Sequence, residues 1–350
     1  MDFYGLSSSG GLEYGISVDL RYNSAAYYIV SLPSGDILTA GLAKFDIAGA
    51  NPQKAIVDAL NSAVLASCND YAIDEDEITA YSVCGTIENL HIFSGVEENN
   101  SLFGIEDRAQ KIGLCGRKNA SVFISPCAEN GISGNMLSTL CYFGADTAPE
   151  NSLFIDFGEY TQCVLKTKSG FLSGKVSSYA FETKGISCGT SSESGAIHTA
   201  EIKPDGEIKY STMHNVVASG ISATGLVDVV AVNLEKGFIS DDGKIKDGKI
   251  TLLDGKELLQ SDIDLFYESA SAVNSLISSL CEDIIPSVYI SGCYGSQFHS
   301  ENLIKTGVLP KSLSEADITV VANGSGLGMI KELKNDDERD RMISLSEKLV

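Results

Sequence analysis

At 350 residues, 43% hydrophobic and with a mean hydropathy of +0.07, the chain is long enough for two globular domains, each with its own core. A formal net charge of −22 argues against binding nucleic acid or an anionic membrane surface, because both need clustered Lys and Arg. Nine cysteines (68, 84, 115, 127, 141, 163, 188, 281 and 293) form no CxxC pair, so reduced thiols are expected, with no ligand set for zinc or an iron–sulfur cluster.

The opening "MDFYGLSSSGG" has neither a basic start nor an apolar core, and no apolar run approaches the roughly twenty residues of a membrane span. The expected compartment is the cytoplasm, with residues 1–13 a loose leader. Strands are predicted at 14–20, 25–32 and 36–43, with Pro33-Ser34-Gly35-Asp36 as the turn joining the last two. From Asn51 to Cys68, apolar residues at Ile56, Val57, Leu60, Val64 and Leu65 keep helical spacing, and Pro52 suits the first turn. A strand at 78–84, a short helix opened by Gly85-Thr86, a strand at 120–125 and a helix at 131–144 close the first half.

Strands at 152–157, 161–167 and 171–177 then repeat the opening. The segment "GISCGTSSESGA" (185–196) is spaced by glycines. Helices are predicted over 225–239 and 261–284, the latter opened by Ser-Asp, with small hairpins between them. A strand running into a glycine turn (287–295), a strand, turn and helix (318–333) and a charged helical tail follow. Two halves that each begin with a three-stranded meander predict two related α/β domains, 14–149 and 150–350, with a cleft between them.

The two meanders share an unusual detail. "GISVDL" and "LFIDFG" each end an apolar strand in an acid, Asp19 and Asp156, before a short turn. Facing each other across a cleft, two such carboxylates suit a hydrated Mg2+ bridging phosphates, or the orientation of a water; alternatively, each caps its own turn. The turn Leu20-Arg21-Tyr22-Asn23-Ser24 has no glycine, and the turn Phe157-Gly158-Glu159-Tyr160-Thr161 has one next to an acid, which is unfavourable for a γ-phosphate. Arg21 is expected to fill the cleft or pair with Glu159; alternatively, it grips a phosphate in place of the missing backbone amides. Cys188, Cys293 and the four histidines are expected to be packing or surface residues.

The order of elements resembles the actin/hexokinase/Hsp70-type (ASKHA) fold, two lobes of duplicated ribonuclease H-like type. More narrowly, "YGISVDL", "CGTIENLHIFSG", "LFIDFG", "AFETKGISCGTSSESGAI", "GLVDVVAVNLEKGFISDDGKI", "VYISGCYG", "TGVLP" and "VVANGSGLG" resemble, in order, the ATP-binding part of the reductive activators of corrinoid proteins. That resemblance implies ATP and Mg2+ as ligands, a corrinoid protein or methyltransferase as partner, and a homodimer. It places Asp19 and Asp156 at the catalytic metal–phosphate site, and Gly158 in the second loop. Gly185 and Gly189, with Glu182 and Gly195, match the connecting segment; Gly292, Cys293, Tyr294 and Gly295 match the turn beside the adenosine. The sequence departs from the family at Arg21-Tyr22-Asn23-Ser24, at Glu159-Tyr160, at Asn135 and at Ser191, and the family's iron–sulfur domain is expected to be absent, since no cysteines here are spaced for one. Two functions are therefore carried forward: an ATP-dependent activator or accessory factor of a corrinoid/methyltransferase system, and a pseudo-ATPase that binds or scaffolds proteins.

Overall fold

A computed structural model describes residues 12–97, 104–281, 286–292 and 297–349. The first half comprises β1 (Tyr14–Leu20), β2 (Ser24–Ser31), β3 (Ile37–Lys44), α1 (Pro52–Asp70), β4 (Ile78–Gly85), α2 (Ile87–Ser94), β5 (Ile105–Arg108), α3 (Ala109–Ile112), β6 (Ser121–Ile124) and α4 (Gly134–Phe143). The second begins with β7 (Ser152–Asp156), β8 (Tyr160–Thr167) and β9 (Gly170–Ser177). It continues through β10 (Ala196–Ile202), β11 (Ile208–Thr212), β12 (Gly220–Ile221), α5 (Ala223–Glu235), β13 (Lys249–Thr251), β14 (Glu257–Leu259) and α6 (Gln260–Leu280). It ends with β15 (Ser287–Ser291), α7 (Ser300–Lys305), β16 (Ile318–Val320), α8 (Gly324–Lys334) and α9 (Asp336–Lys348).

The duplication is visible in strand pairing. One sheet has the order β3-β2-β1-β4-β6-β5 and the other β16-β15-β7-β8-β9. In each, the acid-bearing strand lies between an antiparallel hairpin partner and a parallel neighbour: β1 between β2 and β4, β7 between β8 and β15. Burial on both faces explains the apolar runs: all seven residues of β1 and all five of β7 are buried. The acids occupy equivalent register positions, Asp19 opposite Ala26 and Cys84, Asp156 opposite Gln162 and Ser291.

Most predicted elements lie within a few residues of those observed. The helix expected over 225–239 runs Ala223–Glu235, and that expected over 261–284 runs Gln260–Leu280. Residues 197–224 received no element in the sequence, yet they carry most of the hairpin β10–β11, the strand β12 and the start of α5. No helix among the described residues is long and apolar enough to cross a membrane.

The seam between the halves is closed by α8. Its N-cap Asn323 accepts from Gly326 N at 3.2 Å and donates Nδ2 to the Tyr28 hydroxyl at 3.1 Å. Ser17 Oγ donates to the Gly326 carbonyl at 2.7 Å, and Ser138 Oγ of α4 donates to the Ser325 carbonyl at 2.5 Å. Gly328 is what allows this approach, since a Cβ there would overlap the Ser138 carbonyl. Beyond it, α9 is tied back through Arg339, which bonds Glu332 of α8 at 2.7 Å and Glu106 of β5 at 2.6 Å.

Candidate functional site

Asp19 and Asp156 are both 1% exposed, at the strand ends where the two sheets face each other. Isolated carboxylates are not stable in such a place without compensation. The compensation is Arg21. From the β1–β2 turn its side chain folds back between the two acids, leaving the residue 7% exposed. Nε donates to Asp19 Oδ2 at 2.9 Å, Nη1 to Asp156 Oδ2 at 3.1 Å, and Nη2 to Asp156 Oδ1 at 3.3 Å. Nη2 also donates to Ser325 Oγ at 2.8 Å. The two-point contact with Asp156 is the geometry that a planar guanidinium forms best.

The remaining acceptor positions on Asp19 are filled as well. Ser325 Oγ donates to Oδ2 at 2.8 Å, Asn135 Nδ2 donates to Oδ1, and the Cys84 thiol lies 3.8 Å from Oδ1. The backbone that carries Arg21 is held too: its N–H donates to Ser24 O at 2.8 Å, and its carbonyl accepts from Asn89 Nδ2 at 2.5 Å. None of Arg21, Tyr22 or Asn23 has a positive φ, so this turn makes no demand for glycine. Gly158 does not need its φ freedom either. A Cβ there would stand 3.2 Å from Arg21 Nη1 and 3.4 Å from Glu182 Oε1, so the glycine gives the guanidinium room.

Burial alone would lower the Arg21 pKa, but Asp156, Asp19 and Glu182 outweigh it and hold the guanidinium charged. Burial pushes the Asp156 carboxyl up, with Arg21 pulling against it. Glu182, with a side chain 19% exposed, is 3.9 Å from Arg21 Nη1. Burial is the main cause that raises it to about 7; Arg21 offsets part of this, while Asp19, Asp156 and Glu159 add to it.

Glu159 does not pair with Arg21. It bonds Lys184 at 2.5 Å, and the Lys184 ammonium lies over the Tyr22 and Tyr179 rings at 4.3 and 4.8 Å. The sequence placed Glu159 nearest in the matching turn, whereas the fold presents Asp19 and Asp156 to the guanidinium instead.

Arg21 splits the space between the halves into two small chambers. One, about 40 Å³, is lined by Asp19, Arg21, Ser24, Glu182, Ser191 and Gly292 among others. The second, about 30 Å³, is lined by Arg21, Asn135, Gly158, Glu159 and Gln162 among others. Small-molecule sites usually span ~300–1,000 Å³, and the oxygens that would ligate a metal already accept from protein donors. With Arg21 in place, the acid pair does not fit a Mg2+-nucleotide.

Of the other expected site residues, Gly292 lines the first chamber; its φ is +149°, and a Cβ would overlap the Phe157 carbonyl. Gly185 (φ +83°) and Gly189 line neither chamber; they shape the loop that carries Thr183 and Thr190 to the first. Cys293, Tyr294 and Gly295 lie outside the described residues. Burial raises the Cys188 thiol to about 11, which suits packing rather than reactivity. Among the described residues no three His, Cys, Asp or Glu side chains are grouped as ligands of one metal ion. Sequence reasoning missed Ser325; its only signal was the small-residue run "NGSGLG" at the start of α8.

Several known proteins are similar. The family model for the C-terminal domain of RACo, described as the ASKHA domain, matches residues 150–350. A "[Co(II) methylated amine-specific corrinoid protein] reductase" of Methanosarcina barkeri is 23% identical over 333 residues, covering 80% of this chain and 60% of that protein. The corrinoid activation enzyme RamQ of Eubacterium limosum is 22% identical over 393 residues, covering 93% and 65%. A solved reductive activator for corrinoid, iron-sulfur protein superposes with a TM-score of 0.86 at 22% identity, over 98% of this chain and 64% of that one. The two-lobed fold expected from the motifs is thus shared with that activator. The chain spans 60–65% of the length of these relatives.

Proposed function

Because this chain belongs to the family of the C-terminal, ASKHA domain of RACo, we propose that it serves corrinoid-protein activation as an accessory, protein-binding member rather than as an ATPase. The observation that carries this is the Arg21 guanidinium, bonded to Asp19 and Asp156 where the motif resemblance puts Mg2+ and phosphate. A side chain on the same turn provides the positive charge that a nucleotide-loaded metal would otherwise bring. The partner that follows is a corrinoid protein, on which the similar reductase and RamQ act by name, or a methyltransferase or activator that works with it.

The roles of the chain's own residues follow from charge. Arg21 neutralises one acid from each half and so links them, Asn135 and Ser325 fix Asp19, and Gly158 leaves room for the guanidinium. A thermal-shift titration with Mg-ATP tests the proposal. A ligand at a hundred times its dissociation constant stabilises by roughly 2.7 kcal/mol, so an unchanged melting temperature up to millimolar nucleotide is expected. A saturable rise, with phosphate release lost in Asp156→Asn, would support the second function, a nucleotide-driven activator. Retention of both carboxylates at equivalent strand ends favours that alternative.

A further inference from the structure

We propose that residues 190–194, "TSSES", form a strap across the mouth of the cleft, latched by the ion pair Glu193–Lys44, and that release of this latch controls entry to the chamber beside Arg21. The character of the segment is set by its sequence. None of the five residues is buried, whereas Ile186 before them and Ile197 after them sit in the core of the second half. A segment without an apolar anchor is held by its ends and by what its polar side chains reach. Both ends are fixed to the second half. Gly189 N donates to Ile186 O at 2.9 Å, and Thr190 N donates to Ile221 O at 2.9 Å. At the other end Gly195, with a φ of +86°, donates to Met213 O at 3.0 Å.

The middle of the strap reaches the first half. Glu193 Oε2 accepts from Nζ of Lys44, the last residue of β3, at 2.6 Å; among the described residues this is the strap's one ion pair with that half. Thr190 Oγ1 donates to the other carboxylate oxygen and so aims Glu193 across the gap. Burial pushes the Glu193 carboxyl up, but Lys44 and Thr190 outweigh it and hold it below the usual range. The Lys44 and Glu193 side chains are 49% and 30% exposed, so the pair is weak and screened by salt. The buried Arg21–Asp156 pair is a bolt by comparison; Lys44–Glu193 can be released without unfolding either half.

The strap separates two spaces of very different size. Thr190, Ser191 and Ser192 line the inner chamber of about 40 Å³ beside Arg21. Ser192, Glu193 and Ser194 line an outer cavity of about 580 Å³, together with Leu42, His198 and Met213. Ser192 and Leu42 line both, so the wall between them is one strap residue set against one residue of β3. The outer cavity has the size of a small-molecule site, ~300–1,000 Å³; the inner chamber does not. With the strap lifted, the chamber becomes the floor of the outer cavity. No nucleotide and neither aspartate takes part in the latch, so its failure and that of the function proposed above are separate results.

The test uses the intact chain with Ser24→Cys, a position 5% exposed that lines the inner chamber. Its alkylation by iodoacetamide is followed by mass spectrometry of the peptide that carries it. Adding Lys44→Ala should speed alkylation about two- to fivefold, the release of one exposed ion pair, and Lys44→Arg should leave the rate unchanged. Raising NaCl to about 1 M should give a similar acceleration where Lys44 is present and none where it is absent. Deuterium exchange of the peptide spanning 190–194 in the unsubstituted chain needs no variant to fold. It should quicken by a similar factor between about 0.05 and 1 M NaCl, with β1 and β7 unchanged. Equal alkylation with and without Lys44, or strap exchange indifferent to salt, would overturn the proposal.

Discussion

Arg21→Ala is the perturbation that bears most directly on the site. It removes the cation shared by two carboxylates that are each 1% exposed and leaves both charges buried. Breaking a buried ion pair from one side costs about 3–5 kcal/mol. An unfolding entropy of roughly 2.1 cal/mol/K per residue gives ~0.7 kcal/mol/K for a chain of this length, so the melting temperature should fall by about 4–7 °C. The cause can be separated from general damage with a double-mutant cycle. In an Asp156→Asn background the same Arg21→Ala change should cost about 1–3 kcal/mol less, because one of the stranded charges is already gone. Millimolar Mg2+ should also restore part of the lost stability of Arg21→Ala while leaving wild type unchanged. Differential scanning fluorimetry of the four proteins, with and without Mg2+, reads all of this. An Arg21→Ala protein that melts within about 1 °C of wild type, or a cycle with no coupling, would refute the idea that the guanidinium holds the two halves together.

Three other outcomes follow from the structure. Glu182, raised mainly by burial to about 7 from 4.5, keeps a proton in the folded chain that the unfolded chain has already released. Its contribution to stability is therefore unpenalised below about pH 4.5 and falls by up to roughly 3 kcal/mol as pH rises through 7; Glu182→Gln should gain on wild type in urea melts between pH 5 and 8. Arg339→Ala strands Glu332, 2% exposed, and should cost about 3 kcal/mol, with faster proteolysis near Asn335 as α9 loses its tie to α8 and β5. Gly328→Val drives a side chain into the Ser138 carbonyl and should cost at least about 1–3 kcal/mol by calorimetry, whereas Gly237→Val, at an open position, should show only the strain of its positive φ.

The strands β1 and β7 were legible because burial on both faces writes a continuous apolar run, and the acid closing each run stands out against it. The β10–β11 hairpin was not, because its residues alternate between buried, half-buried and exposed positions and include His198, Glu201, Lys209 and Tyr210. The duplicated position of Asp19 and Asp156 was visible in the sequence; the side chain between them, Arg21, was expected to fill the cleft or pair with Glu159. Proximity in the two turns pointed Arg21 at Glu159, but the choice is made by long-range contacts. Asp156 lies 135 residues from Arg21 and Ser325 lies 304. Asn135 read only as a departure from the family pattern; in the fold its amide donates to Asp19, where a carboxylate would repel it.

The groups around Arg21 fit one another. An arginine in the first turn needs two acids to neutralise it, space opposite its Nη1, and no further negative charge behind Asp19. Asp19 and Asp156 meet the first condition, Gly158 the second and Asn135 the third. Glu159 would have added a competing carboxylate, and Lys184 holds it aside beneath Tyr22 and Tyr179. An unpaired buried charge is costly in any cleft, and these three conditions are met around one side chain. Glu182, its side chain 19% exposed, stands 3.9 Å from Arg21 at the edge of this arrangement. The positive charge between the two acids is supplied by the chain's own β1–β2 turn.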